Sequence, residues 1–81
     1  MRLDKYLKVA RLIKRRTVAN EACDTQRVVV NGKEAKASYQ VKIGDVIEIT
    51  IGSRTGKVKV LAVPEHVTKA EAALLYSEIS E

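Results

Sequence analysis

Arg27-Val28-Val29-Val30-Asn31-Gly32-Lys33 is the stretch that decides the fold. Three β-branched residues in succession favour extended backbone, where a branched side chain packs well on a pleated surface. Asn31-Gly32 then cuts the run off. A two-residue hairpin turn needs positive φ at both central positions, and Asn-Gly is the pair that best tolerates this. A strand is therefore expected to end at Val30, with the chain reversing direction there.

Downstream, Lys33 to Tyr39 has no clear period, while Val41 to Ile43 runs into a second turn signal at Gly44-Asp45. Val46, Ile47, Ile49 and Ile51 predict a well-buried strand. Gly52-Ser53-Arg54-Thr55-Gly56 reads as a hairpin loop into a strand over 57–63, where Val58, Val60 and Ala62 alternate with Lys59 and Leu61 until Pro64 closes it. Thr68 is a candidate N-cap for a last helix through Ile79, with Ala72, Leu75 and Ile79 on one side and Ala73 and Tyr76 beside them.

Upstream, Arg2 to Ile13 has the spacing of an amphipathic helix. On a helical wheel Leu3, Tyr6, Leu7, Ala10 and Ile13 share one side, and Lys5 and Lys8, flanked by Arg2 and Arg11, share the other. Lys14-Arg15-Arg16 forms a short connection. Thr17 would cap a second helix over Val18 to Gln26, with Val18, Ala19, Ala22 and Cys23 as its apolar side. The elements add up to an α+β fold: two N-terminal helices on a small, mostly antiparallel sheet, with a short C-terminal helix. No repeat or linker divides the chain, so residues 1–81 are read as one domain, with the closing strand and helix at about 57–80.

The chain has 81 residues, 15 Lys plus Arg against 10 Asp plus Glu, and a formal charge of +5, which calls for a polyanionic partner. The excess is local: Arg2, Lys5, Lys8, Arg11, Lys14, Arg15 and Arg16 stand among residues 1–16 with Asp4 as the only acid, and the remaining sequence sums to −1. Lysines supply point charges for phosphate, and arginines add a planar fork that grips phosphate bidentately or stacks on a base. A solvated charged face is the common meaning of such a run, but seven cations exceed what solubility asks of so short a segment.

Chemistry of its own is not expected. A domain of this size has little room for a deep pocket beside its core. The single cysteine, Cys23, lies on a packing face without an orienting partner, and His66 beside Pro64 reads as a loop residue. No Cys or His pair has metal-ligand spacing, so neither a metal nor a cofactor is expected. Tyr6 lies on the apolar stripe, whereas Tyr39 is equally suited to core packing or to base stacking. Gly52 and Gly56 flank a hairpin and make no phosphate loop. An apolar run long enough to span a membrane is lacking, and the lone cysteine suits a reducing cytoplasm.

Four segments occur together in an order that resembles the S4 RNA-binding domain, named after the fourth protein of the small ribosomal subunit. They are Arg2-Leu3-Asp4-Lys5-Tyr6-Leu7, Lys14-Arg15-Arg16-Thr17, Arg27 through Lys33, and Ala37-Ser38-Tyr39-Gln40-Val41-Lys42-Ile43-Gly44-Asp45-Val46-Ile47, within a family-like core over about 2–51. Within that superfamily the chain is similar to the short stand-alone bacterial proteins of the heat-shock protein fifteen and ribosome quality control factor RqcP group. The resemblance implies binding to obstructed large ribosomal subunits, through large-subunit ribosomal RNA and P-site peptidyl-tRNA, in support of alanine tailing of stalled chains by an RqcH-type factor.

Carried onto matching positions, the resemblance makes Arg2, Asp4, Lys5, Lys8 and Arg16 the first candidates for RNA contact, with Asn31, Lys33 and Lys36 as the other rim. Asp4 has a physical reason to sit among cations: it complements the helix dipole, orients a neighbouring Arg, or accepts a hydrogen bond from RNA. Arg16, read as an exposed base, is expected to serve binding without supporting the melting temperature. Two positions depart from the family pattern. Gln26 stands where Gly usually turns the chain after the second helix, and Ile43 stands where Pro often precedes Gly-Asp. Two rival functions remain: a general ribosome-associated heat-shock RNA-binding protein that recycles stalled large subunits, and a protein-interaction module whose basic helix meets an acidic surface without RNA.

Overall fold

A computed structural model describes residues 1–64 and 70–79. In chain order these form α1 (Leu3–Val9), α2 (Arg16–Asp24), β1 (Val28–Val30), β2 (Lys33–Glu34), β3 (Val46–Ile51), β4 (Arg54–Val60), a single 3-10 turn (Ala72–Leu74) and β5 (Tyr76–Glu78). The strands make one antiparallel sheet in the order β2-β1-β3-β4-β5. The α+β architecture with two helices on a small antiparallel sheet is the one the sequence predicts.

The β1–β2 hairpin turns at Asn31-Gly32, with φ of 53° and 82° and Val30 opposite Lys33. Asn31 also ties β1 to β3: its N–H donates to the Val46 carbonyl at 2.8 Å and its Oδ1 accepts the Val46 N–H at 2.9 Å.

Both helices differ in extent from the sequence reading. The first ends at Val9 instead of Ile13, because Arg11 takes a left-handed φ of 59°. The Leu12 and Ile13 N–H groups then fold back to donate to the Leu7 carbonyl at 3.0 Å, and Ile13 reaches the core from outside the helix. The second helix starts at Arg16, so Thr17 lies in its first turn and no side chain caps it. Its buried face is Ala19, Ala22 and Cys23, while Val18, expected on that face, is 47% exposed. At its end Gln26 has φ 62°, with Gln26 N–H donating to Cys23 and Arg27 N–H to Ala22. This is a turn that a glycine makes without strain, so the chain bears the cost of a Cβ there. Ile43, the other departure, stands 68% exposed and presses on nothing in the core.

The C-terminal segment corrects the sequence reading most. In place of a helix through Ile79, Tyr76–Glu78 pair with β4, placing Val60 opposite Tyr76 and Val58 opposite Glu78. The apolar spacing suits a helix, but the open edge of β4 offers backbone partners that a short helix cannot match. The proposed cap Thr68 and the loop residue His66 lie outside the described residues. The preceding loop is also shorter than expected: β4 begins at Arg54 and ends at Val60, with Gly56 inside it opposite Ile49.

The core lies between the helices and one face of the sheet. Leu3, Tyr6 and Leu7 from α1 meet Val28, Ile47, Val58, Val60 and Leu75. Burying a side chain of this size contributes about 1.5–3 kcal/mol. Tyr6 joins α1 to the residue before β5 by donating its buried hydroxyl to the Leu75 carbonyl at 2.8 Å, and burial pushes that phenol well above its ordinary pKa. No helix among the described residues is long and apolar enough to cross a membrane.

Candidate nucleic-acid interface

Two buried carboxylates organise the surface on which the sequence places the cations. Asp4 sits in the first turn of α1 and is 2% exposed. Its Oδ1 accepts the Lys5 N–H at 2.8 Å and Arg2 Nε at 3.2 Å, and its Oδ2 accepts Arg16 Nε at 3.4 Å and Asn20 Nδ2 at 3.3 Å. Arg2 immediately precedes α1, Arg16 opens α2, and Asn20 lies one turn further along α2. Packing of the two helices brings all four side chains together at the rim of a shallow cleft lined by Asp4, Arg16, Thr17 and Asn20.

The charge in this cluster does not cancel. One carboxylate holds two guanidinium groups, whose side chains remain 46% and 47% exposed. A guanidinium has five N–H donors in a fixed fork, so each keeps donors for phosphate after serving Asp4. Burial alone pushes the Asp4 carboxyl up. Hydrogen bonds from Asn20, the Lys5 N–H and Arg16, with the Arg16 charge, more than offset this and hold its pKa below the ordinary aspartate value. Asp4 is thus an orienting group, and Arg16 is bound to the fold rather than standing apart from it.

Asp45 gathers a different set. Its carboxylate accepts Asn31 Nδ2 at 3.0 Å, the Tyr39 hydroxyl at 2.8 Å and the Lys42 N–H at 2.9 Å. Burial again pushes the acid up, and bonds from Lys42, Tyr39 and Asn31 pull it below its ordinary value. The same bond to Asp45, with burial second, raises the Tyr39 pKa. This network ties the β1–β2 turn to the segment before β3. The segment is in turn fixed to the start of α1 by Leu3 N–H to the Tyr39 carbonyl at 2.8 Å and Asp4 N–H to the Ala37 carbonyl at 3.2 Å. An isolated bridge between Arg2 and Gln40 completes the seam, so the two expected rims adjoin.

The structure therefore brings Arg2, Asp4 and Arg16 into contact and arranges Asn31, Lys33 and Lys36 along a neighbouring cleft. Lys8, Arg11, Lys14 and Arg15 are exposed and Lys5 is half-buried. Among the described residues no carboxylate pairs with these five, and no side-chain bond joins them to either cluster. Asn20 and Asp45 were missed as site residues. Asn20 had a signal, being a polar residue four after Arg16 within a run of small apolar ones; Asp45 reads only as a turn.

Cys23 is buried, and burial, with Asp4 and Asp24 nearby, pushes its thiol up to about 11, so it stays protonated at neutral pH. Among the described residues no group of His, Cys, Asp and Glu could hold a metal ion.

Residues 1–47 match the S4 domain family. That span contains α1, α2, β1, β2 and both aspartates. A protein of Streptococcus pneumoniae named RQC P-site tRNA stabilizing factor is 52% identical over 81 residues, covering all of this chain and 92% of its own length. One of the same name from Bacillus subtilis is 47% identical over all of this chain and 94% of its own length. Among solved structures, the trimeric Heat Shock Protein 15 of Vibrio cholerae has a TM-score of 0.90 at 33% identity, covering 99% of this chain and 82% of that one. By its sequence and its fold, this chain belongs to the S4 domain family, in the group that holds the RQC P-site tRNA stabilizing factors and heat-shock protein fifteen.

Proposed function

We propose that the chain is an RNA-binding ribosome quality control factor that acts in the cytoplasm without catalysing a reaction. The observation that carries this reading is the identity, 52% and 47% over all 81 residues and over 92% and 94% of the relatives' own length, to two proteins named RQC P-site tRNA stabilizing factor. The geometry supports it: Arg2 and Arg16 are aimed by one buried acid and half exposed, beside further cations that pair with no carboxylate among the described residues. Such a surface suits A-form RNA, whose deep major groove hides its base edges and which proteins recognise through phosphates, ribose hydroxyls and unstacked bases. The partners proposed are P-site peptidyl-tRNA and large-subunit ribosomal RNA on obstructed large subunits, with an RqcH-type factor adding alanine to the stalled chain.

Sedimentation of a tagged copy from cells tests this. The protein is expected to co-migrate with large subunits that hold tRNA, and Arg16→Ala to move it to the top of the gradient. Equal sedimentation of the two forms would contradict the assignment. A second reading, general recycling of stalled large subunits, draws on the fold likeness to Heat Shock Protein 15. It expects subunit association to persist in cells lacking the tailing factor.

A further inference from the structure

We infer that the cleft between the β1–β2 turn and the segment 36–39 is a pocket for one unpaired RNA nucleotide, its base against Tyr39 and its flanking phosphates on Lys33 and Lys36. This rests on the reading of the chain as RNA-binding and adds the place where an unstacked base is received. The cleft encloses about 660 Å³ and opens to solvent. Asn31, Lys33, Glu34, Lys36, Ser38 and Tyr39 contribute to its walls.

Tyr39 is held from three directions. Its N–H donates to the Lys36 carbonyl at 3.0 Å, its carbonyl accepts from Leu3, and its hydroxyl donates to Asp45 at 2.8 Å. Half-buried and packed on the core, it is a ring fixed before any ligand arrives, so little ordering remains to be done on binding. Because the hydroxyl is committed to Asp45, what the ring offers a ligand is aromatic surface. A base in mid-duplex has both faces stacked already; an unpaired one does not. Stacking tolerates any base, since each has a π-face. Lys33 and Lys36 are exposed and, among the described residues, unpaired with any carboxylate, so two cations stand where the backbone on either side of the base would pass. Glu34 keeps phosphate away from its own part of the wall and can accept a hydrogen bond from an amino group, as can the Ser38 hydroxyl.

The test compares two RNA hairpins of equal length with the whole chain, one fully paired and one carrying a single unpaired 2-aminopurine. Wild type is expected to bind the bulged hairpin about tenfold more tightly, the size of one base–aromatic stack, and to quench the fluorophore. Tyr39→Leu should erase that preference and the quenching, whereas Tyr39→Phe, which gives up the same bond to Asp45 but keeps the ring, should retain most of both. Loss of both affinities in parallel in Tyr39→Leu, or a wild type that neither discriminates nor quenches, overturns the pocket. Should Tyr39→Leu fail to fold, the wild-type fluorescence decides by itself. Wild type binding neither hairpin would remove the RNA reading and the pocket with it, whereas equal binding of both without quenching removes the pocket alone.

Discussion

Asp4 and Asp45 are both buried, both hydrogen-bonded several times, and both held as carboxylates below their ordinary pKa, yet they do opposite things with charge. Asp4 is satisfied by two arginines, an asparagine and a backbone N–H; Asp45 by an amide, a phenol and a backbone N–H, all neutral. The first arrangement uses one negative charge to aim two positive ones. The second orders a turn and a loop through neutral donors, with the Lys42 charge a lesser contribution, and leaves Lys33 and Lys36 without a carboxylate partner among the described residues. A buried acid in a binding protein can therefore be either an aiming device or a splint, and the charge of its partners tells which.

The largest effect should come from removing the splint. Asp45→Ala strands an amide, a phenol and an N–H in partly buried positions, and at about 1 kcal/mol for each is expected to cost about 3 kcal/mol. In a domain of this size that lowers Tm by about 15 °C in a thermal melt. Asp4→Ala releases two arginines that can return to water, so its cost is expected to be about half as large. A larger loss at Asp4 than at Asp45 would break the comparison.

Binding gives the next test. Asp4→Asn adds one positive unit to the protein, and attraction by charge alone would tighten RNA binding. If Asp4 aims the arginines, affinity instead falls by about fivefold, equivalent to about 1 kcal/mol. A titration at fixed salt shows the sign directly.

Arg16→Ala should abolish most RNA binding, and the ion pair to Asp4 changes the expectation for its stability. A half-exposed pair is screened by solvent, so the cost is about 0.5–1 kcal/mol, a Tm lower by a few degrees rather than unchanged. An unaltered Tm would mean that Asn20 and Arg2 suffice to hold Asp4.

Acid gives the finest discrimination. Both carboxyl groups are lowered in the folded state, so the unfolded chain binds protons first as pH falls. Their contribution is complete above the unfolded aspartate value of about 4 and is lost as pH drops through the folded values. Tm should be flat from neutrality to about pH 5 and fall below it. Asp45→Asn should remove its share of that limb, and the share should depend only weakly on ionic strength, because neutral hydrogen bonds lower Asp45 more than the Lys42 charge does. The Asp4 share should shrink in high salt, because its partners are charged.

Local chemistry was legible in the sequence and distant pairing was not. The β1–β2 hairpin could be read because Asn31 and Gly32 carry their turn preference wherever they stand. The ends of α1 and α2 were displaced because Arg11 and Gln26 adopt left-handed backbone that neither residue type announces. The β5 strand was hidden because residues 76–78 take their conformation from the edge of β4. In the site, the cations and the orienting role of Asp4 follow from a charge count and a position in the first turn. Asp45 escaped because its partners, Asn31 and Tyr39, meet it only after the sheet has formed.

The bond from the Tyr6 hydroxyl to the Leu75 carbonyl spans 69 residues of sequence. It makes the residue that leads into β5 a latch for α1. During synthesis α1 leaves the ribosome well before Leu75 does, so the helix that holds Asp4, Lys5 and Lys8 lacks this bond until residue 75 has emerged. Full seating of α1 is thus timed by the emergence of Leu75.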